Sequence, residues 1–333
     1  AVILNSGNAN ACTGERGLDN ARAMSVQVGR GLGVPSEDVL VCSTGVIGVQ
    51  LDMDSVQTGI VGVLTSLRED GGDDAAVAIM TTDTVPKTSA LSLGIGEDTV
   101  CVGGMAKGSG MIAPNMATML GVITTDANVP PDLLREILLS AVKCSFNCIT
   151  VDGDMSTNDT VIALANGAVG GAPIEPNTPS AAALSEAIEV VCRDLARQIA
   201  RDGEGATKFV TVTVSGGASR TECLEVGYTV AESPLVKTAL FAGDANWGRF
   251  CMAIGRAQID GLDAAGVSLW LDEVEVAHQG LMSASYSEEA GAAVLAKDEF
   301  EVCIGLGRGA CRETIWTTDL SYEYVRINAD YRS

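Results

Sequence analysis

Lys107-Gly108-Ser109-Gly110-Met111-Ile112-Ala113-Pro114-Asn115-Met116-Ala117-Thr118-Met119-Leu120 is the densest chemical signal in the chain. Its glycines permit a tight or left-handed path, and Pro114 stiffens the approach to Thr118. The small residue Ala117 then precedes a threonine that opens an apolar run, Met119 to Ile123, with the character of a strand. This layout can hold the Ala117–Thr118 carbonyl within reach of the Thr118 hydroxyl. Attack would shift the acyl group from nitrogen to oxygen, and water would then release a new N-terminus at Thr118. The freed amine, with an ordinary pKa of about 8, can take the proton of the neighbouring hydroxyl and act as its base. Taken alone, a Gly- and Pro-rich turn into a strand is more often only structural.

The rest of the composition narrows the chemistry. There is one histidine, His278, after the alternating stretch Glu273-Val274-Glu275-Val276. It reads as structural, so His-rich metal sites are excluded and a Ser-His-Asp triad would have to pass through it. An enzyme of this composition takes its base from elsewhere. Ten cysteines are scattered with no CxxC pair, and Cys144 and Cys148 lie about one helical turn apart. That spacing suits neither zinc nor a disulfide framework. It suits reduced core residues in a reducing, cytoplasmic compartment. The net charge of −22 repels phosphate backbones, which argues against nucleic acid as a partner. With 47% hydrophobic and 19% charged residues the chain is a folded, globular one. No apolar run approaches the ~20 residues of a membrane span, so no membrane partner is expected. Ala1-Val2-Ile3-Leu4-Asn5 reads as a buried strand already in progress without an initiator Met. The natural start is therefore expected upstream, together with any organellar leader.

Helices and strands interleave, which gives an α/β or α+β class. Val56, Ile60, Val63, Leu64 and Leu67 follow a helical period after Asp54 and Ser55. Leu134, Ile137, Leu138, Ala141 and Val142 repeat it behind Pro130 and Pro131. A longer helix is predicted from near Ser180 to Arg201, closed by Asp202-Gly203. Val210, Val212 and Val214 alternate with threonines as a strand, and Val100-Cys101-Val102 is read as a short one. Ser215 to Ser219 is the best boundary candidate, and Asn166 to Pro179 a surface loop.

The Lys107–Leu120 string resembles the self-cleavage motif of the ornithine acetyltransferase family, a branch of the N-terminal-nucleophile-like enzymes. Other stretches share the resemblance along essentially the whole chain: Asn5 to Gly14, Ser43-Thr44-Gly45-Val46-Ile47-Gly48, and Met80 to Thr84 with Pro86-Lys87. Asp202 to Lys208, Gly243 to Arg249 and Tyr324 to Ser333 complete it. The resemblance implies a four-layer α/β/β/α sandwich over residues 1–215, a smaller α/β domain over 216–315, and a tail, 316–333, returning to the active site. It implies an α chain ending at Ala117 and a β chain beginning at Thr118, paired as an α2β2 heterotetramer. Thr118 is implied as the nucleophile and Thr44 with Gly45 as the oxyanion hole. Thr81, Lys107, Thr118, Glu204, Asn328 and Ser333 are implied as substrate contacts; because Thr82 adjoins Thr81, that register is open by one. A cation and a carboxylate suit a zwitterionic substrate.

The implied reaction is ping-pong acetyl transfer from N²-acetylornithine to glutamate in arginine biosynthesis, with no metal or cofactor; some members also take acetyl-CoA as a co-substrate. Two rivals stand beside it. A self-processing aminopeptidase or amidase of the same fold would share Thr118 and let water resolve the acyl-enzyme. A non-catalytic acidic binding protein would stay in one piece. Asp152 to Asp159 looks calcium-like but lacks the spacing of a calcium loop, and is read as a turn-rich loop that is structural or supports the site. Gly305-Leu306-Gly307-Arg308-Gly309 is not a dinucleotide fingerprint.

Overall fold

A computed structural model describes residues 1–113 and 119–330. Ala117, Thr118 and Ser333 lie outside the described residues. The first half of the chain is built as four layers, and each strand's alternation shows which way it faces. Strand β1 (Val2–Asn5), helix α1 (Gly14–Leu32), strand β2 (Leu40–Ser43) and helix α2 (Met53–Ser66) come first. Asp52 caps α2 by accepting from the N–H groups of Asp54 and Ser55, so the helix starts earlier than its apolar period indicates. β1 and β2 pair in parallel. Ile3 and Val41 point to one face, against Met24, Val28 and Ile60 of the two helices. Val2, Leu4 and Cys42 point to the other, where they meet Leu120, Ile162 and Leu164.

Those last three belong to a second sheet. After helix α3 (Gly72–Ala78) come β3 (Lys87–Ile95), β4 (Asp98–Lys107) and β5 (Leu120–Thr125), then helix α4 (Pro131–Lys143), β6 (Thr160–Ala165) and helix α5 (Pro179–Arg201). The sheet order is β3-β4-β5-β6, antiparallel except for the β5–β6 pair. Its far face carries Val100, Val102, Ile123 and Val161 onto α4 and α5, whose Leu134, Ile137, Leu184, Ile188, Val191, Leu195 and Ile199 fill the largest core. The order helix, sheet, sheet, helix is the expected α/β/β/α sandwich. β4 is far longer than the Val100–Val102 core that the sequence suggests, because its outward positions are small or polar.

Strand β7 (Phe209–Gly217) leads into helices α6 (Arg220–Ala231), α7 (Pro234–Ala242) and α8 (Trp247–Gly255). Strands β8 (Ser268–Leu271), β9 (Val274–His278) and β10 (Leu281–Met282), helix α9 (Glu288–Leu295), and strands β11 (Glu299–Gly305) and β12 (Cys311–Thr318) come next. The six strands form one sheet in the order β10-β9-β8-β11-β7-β12. Val210 to Ile315 make a second core, while Phe209 and Trp316 pack into the first. His278 ends β9 with Nδ1 2.9 Å from Glu275 Oε1. Helix α10 (Tyr322–Asp330) closes the described chain. No described helix is long and apolar enough to cross a membrane.

Candidate active site

A cavity of about 290 Å³ lies where the turn after β2, the end of β4, the turn after α5 and helix α10 converge. Its lining includes Thr44, Gly45, Thr81, Lys107, Glu204 and Asn328. Every sequence-predicted site residue within the described chain therefore meets in one cleft. Its volume suits a small molecule.

Gly45 adopts φ +126°, and a Cβ there would stand 2.3 Å from the Gly7 carbonyl carbon. Only glycine fits so close to a neighbouring backbone. The Asn5–Asn8 loop holds this turn: Thr44 N–H donates to Asn5 O at 3.0 Å, and Ser43 Oγ to Asn5 Oδ1 at 2.7 Å. From the opposite side Asn158 Nδ2 donates to Ser43 O at 3.0 Å and to Ala9 O at 2.6 Å. The Asp152–Asp159 loop thus supports the site, without a calcium frame.

Lys107 is 1% exposed, and its Nζ donates to Thr44 Oγ1 at 3.1 Å. Burial pushes its pKa below the ordinary lysine value, while Asp83, Asp159 and Glu204 work to keep it charged. It sits opposite Leu120 in the β4–β5 register, two residues past Thr118. Asp83 organises this end of β4. It accepts from Gly108 N–H at 2.7 Å, from Thr81 N–H at 3.0 Å and from Lys87 Nζ at 2.6 Å. Burial works to raise the Asp83 carboxyl, but Lys87 and the two N–H groups hold it below the usual range. Lys87, itself fully buried, also donates to Asp202 Oδ2 at 2.6 Å. One ammonium therefore ties the Thr81 turn to the end of α5. Thr82 lines the cleft beside Thr81, with its hydroxyl 2.8 Å from Ser109 Oγ.

Glu204 N–H donates to Ser109 O at 2.7 Å, which places its carboxylate over Gly110. A Cβ on Gly110 would lie 2.3 Å from that carboxyl group. Asn328 Nδ2 donates to Glu204 Oε2 at 2.8 Å, which sets this part of α10 against the cleft. Tyr324 of that helix donates to Asp152 Oδ2 at 3.2 Å. Asp152 in turn accepts from the N–H groups of Met111 and Ile112 at 2.7 and 2.9 Å. Burial raises the Asp152 carboxyl, and these donors partly offset it. The sequence offers the stretches that hold Asp83, Lys87 and Asp202 only as parts of the family resemblance, and Asp152 and Asn158 only as members of a turn-rich loop; their individual partners appear in the fold, where Lys87 joins Asp83 to Asp202, 115 positions away. No cluster of three or more metal-ligand side chains occurs among the described residues.

A profile of the ArgJ family matches residues 1–333. The arginine biosynthesis bifunctional protein ArgJ of Pseudomonas fluorescens is 49% identical over 335 residues, covering 100% of this chain and 82% of that protein. Its counterpart in Pseudomonas syringae is 48% identical over 333 residues, with the same two coverages. The crystal structure of ArgJ from Bacillus halodurans is 39% identical, covers 63% of this chain and 98% of its own, and superposes with a TM-score of 0.60. Identity near one half, sustained from end to end over both the four-layer core and the six-stranded sheet, decides the assignment: the chain belongs to the ArgJ family.

Proposed function

We propose that the chain cuts itself between Ala117 and Thr118 and then carries acetyl from N²-acetylornithine to glutamate on the Thr118 hydroxyl. Membership of the ArgJ family makes it an acyltransferase of arginine biosynthesis. The observation that carries the residue-level reading is the meeting of Lys107, Thr44, Gly45 and Glu204 in one cleft beside the start of β5. In the first half-reaction Thr118 Oγ attacks the acetyl carbonyl, and its proton passes through the Thr118 amine to the departing ornithine nitrogen as the amide C–N bond breaks. In the second, the glutamate amine attacks the ester and Thr118 recovers its proton. The developing oxyanion is met by Gly45 N–H and the Thr44 hydroxyl. Because Lys107 donates to Thr44 Oγ1, the Thr44 O–H is left to point elsewhere, and the oxyanion is the natural acceptor. Glu204 is suited to a substrate ammonium, and Lys107 adds positive charge. Thr81, Asn328 and Ser333 complete the proposed substrate contacts. The reading includes an α2β2 assembly, a cytoplasmic location and, optionally, acetyl-CoA as a second donor.

The test is the mass of the β chain after mixing with acetylornithine alone. An adduct of one acetyl group on its N-terminal threonine is expected, discharged by glutamate. Acetate released without glutamate would indicate the hydrolase instead. Thr118→Ala is expected to stay in one piece and take up no acetyl group. Cleavage at 117/118 in that variant would remove the mechanism.

A further inference from the structure

Lys237 of α7 is buried, and its Nζ donates to three neutral oxygens at the end of β12: Thr317 Oγ1 at 3.1 Å, Thr318 Oγ1 at 3.1 Å and the Thr318 carbonyl. The Thr317 hydroxyl donates to Ala231 O at 3.2 Å and the Thr318 hydroxyl to Asp319 O at 2.9 Å, so neither has a proton left for the lysine. An ammonium brings three N–H groups and meets all three acceptors. A neutral amine brings two, and sets its lone pair against the third. The arrangement therefore suits the charged form, although burial pushes this ammonium down to about 8, with Asp319, Asp152 and Glu232 acting to hold it up. The strand end that Lys237 grips carries the turn of Glu204. The Thr318 methyl group lies under Gly203, where a Cβ would stand 2.9 Å from it. Asp319 accepts from Thr207 N–H at 2.8 Å, from Lys208 N–H at 2.9 Å and from the Thr207 hydroxyl. Leu320 N–H donates to Lys237 O at 3.2 Å, and Ser321 Oγ donates to Gly205 O. Glu204 thus stands in a turn held on both sides by residues 318–321, and Lys237 holds that segment at Thr318 and at Leu320.

We propose that the Lys237 ammonium is a positioning residue for substrate binding, fixing through Thr317 and Thr318 the turn that presents Glu204 to the cleft; this rests on the reading of Glu204 as the partner of the substrate ammonium. Lys237 is no part of the cleft lining and acts only through the strand end it holds. Loss of one proton leaves one of its three acceptors without a donor in a buried place, where an unmet polar group is costly. The strand end then relaxes, and the Glu204 turn moves with it. The effect falls on KM, because what is lost is the placement of a binding group.

Steady-state kinetics of the purified mature enzyme on acetylornithine, between about pH 6.5 and about pH 9.5, gives the test. The side-chain ammonium of this substrate is lysine-like, with an ordinary pKa of about 10.4, and keeps its charge over most of that range. The wild-type KM is expected to rise about tenfold as pH climbs through about 8, with kcat changed less than about threefold. Lys237→Met fills the same space without a donor, and is expected to show the high KM at every pH and no step. A wild-type KM flat across this range overturns the proposal even should the variant misfold. So does a folded Lys237→Met with the low KM of wild type, or one in which the step persists, since the step then belongs to another amine such as Lys107. Glu204→Gln at about pH 7 keeps the readings apart. If it raises KM while the Lys237 step is missing, only the role of Lys237 falls. If it leaves KM unchanged, the assignment of Glu204 falls and this proposal with it.

Discussion

Gly45 and Thr44 show how closely single residues are specified. Gly45→Ala would drive a methyl group into the Gly7 carbonyl carbon at a φ that L-residues rarely adopt. We expect it to lower kcat/KM by at least about 100-fold, because the displaced N–H is one of two proposed oxyanion donors, each worth about 3 kcal/mol. Thr44→Val, which keeps the shape and loses the hydroxyl, should lower kcat by a similar factor with KM little changed; steady-state kinetics on both substrates separates these. Asp159 carries a pH signature in stability. Its carboxyl is raised from 3.8 to about 6, so the folded chain holds more protons than the unfolded one between those values and stability falls as pH climbs through them. Asp159→Asn should therefore be the more stable protein at pH 7, by about 1 kcal/mol once partial solvent exposure is allowed for, and of equal stability near pH 3. Chemical denaturation at the two pH values checks this. Residues of this kind divide in how far the sequence discloses them. Thr44, Gly45, Lys107 and Glu204 sit in short strings whose composition is itself unusual. Lys87 and Asp202 lie 115 positions apart in two quoted stretches, and nothing in either stretch announces that the fold pairs them.

Among the elements, α5 was legible from end to end, since its apolar residues recur with the helical period and a capped start and a glycine mark its limits. β3 was not. Its sequence Lys87-Thr88-Ser89-Ala90-Leu91-Ser92-Leu93-Gly94-Ile95 has one half-apolar face, and only the partner strand β4 makes a strand of it. The C-terminal helix α10 was legible as a returning segment solely by family resemblance, because no described residue of it is buried. What seats it is a set of polar contacts: Ser321 Oγ on Gly205 O at 2.5 Å, Tyr324 on Asp152, and Asn328 on Glu204. Gly205 is the pivot. It has φ +66°, and a Cβ there would lie 2.3 Å from Tyr324 N. Gly205→Ala is thus expected to unseat α10, raising KM for both substrates about tenfold or more while the far-ultraviolet spectrum stays native. A variant with unchanged KM would show that the helix does not shape the cleft.

At the scale of the whole molecule, the proposed cut falls in the stretch of chain that joins two adjacent antiparallel strands of one sheet, whose ends Lys107 and Leu120 face each other. β5 is paired on its other side with β6, and its apolar residues reach both neighbouring layers. The ladder hydrogen bonds of the described residues, Val102–Lys107 with Leu120–Thr125, lie outside the proposed cut. The two pieces should co-elute as one species under native conditions and separate only in denaturant, which size exclusion against a denaturing gel will show. Before the cut, a denatured chain regains its sheet by an intramolecular search. Afterwards the same pairing requires two separate molecules to find each other, each exposing strands that favour the wrong partner. Were the chain cut as proposed, its sheet would be assembled once, and its working lifetime would be set by how slowly it opens rather than by how well it can recover.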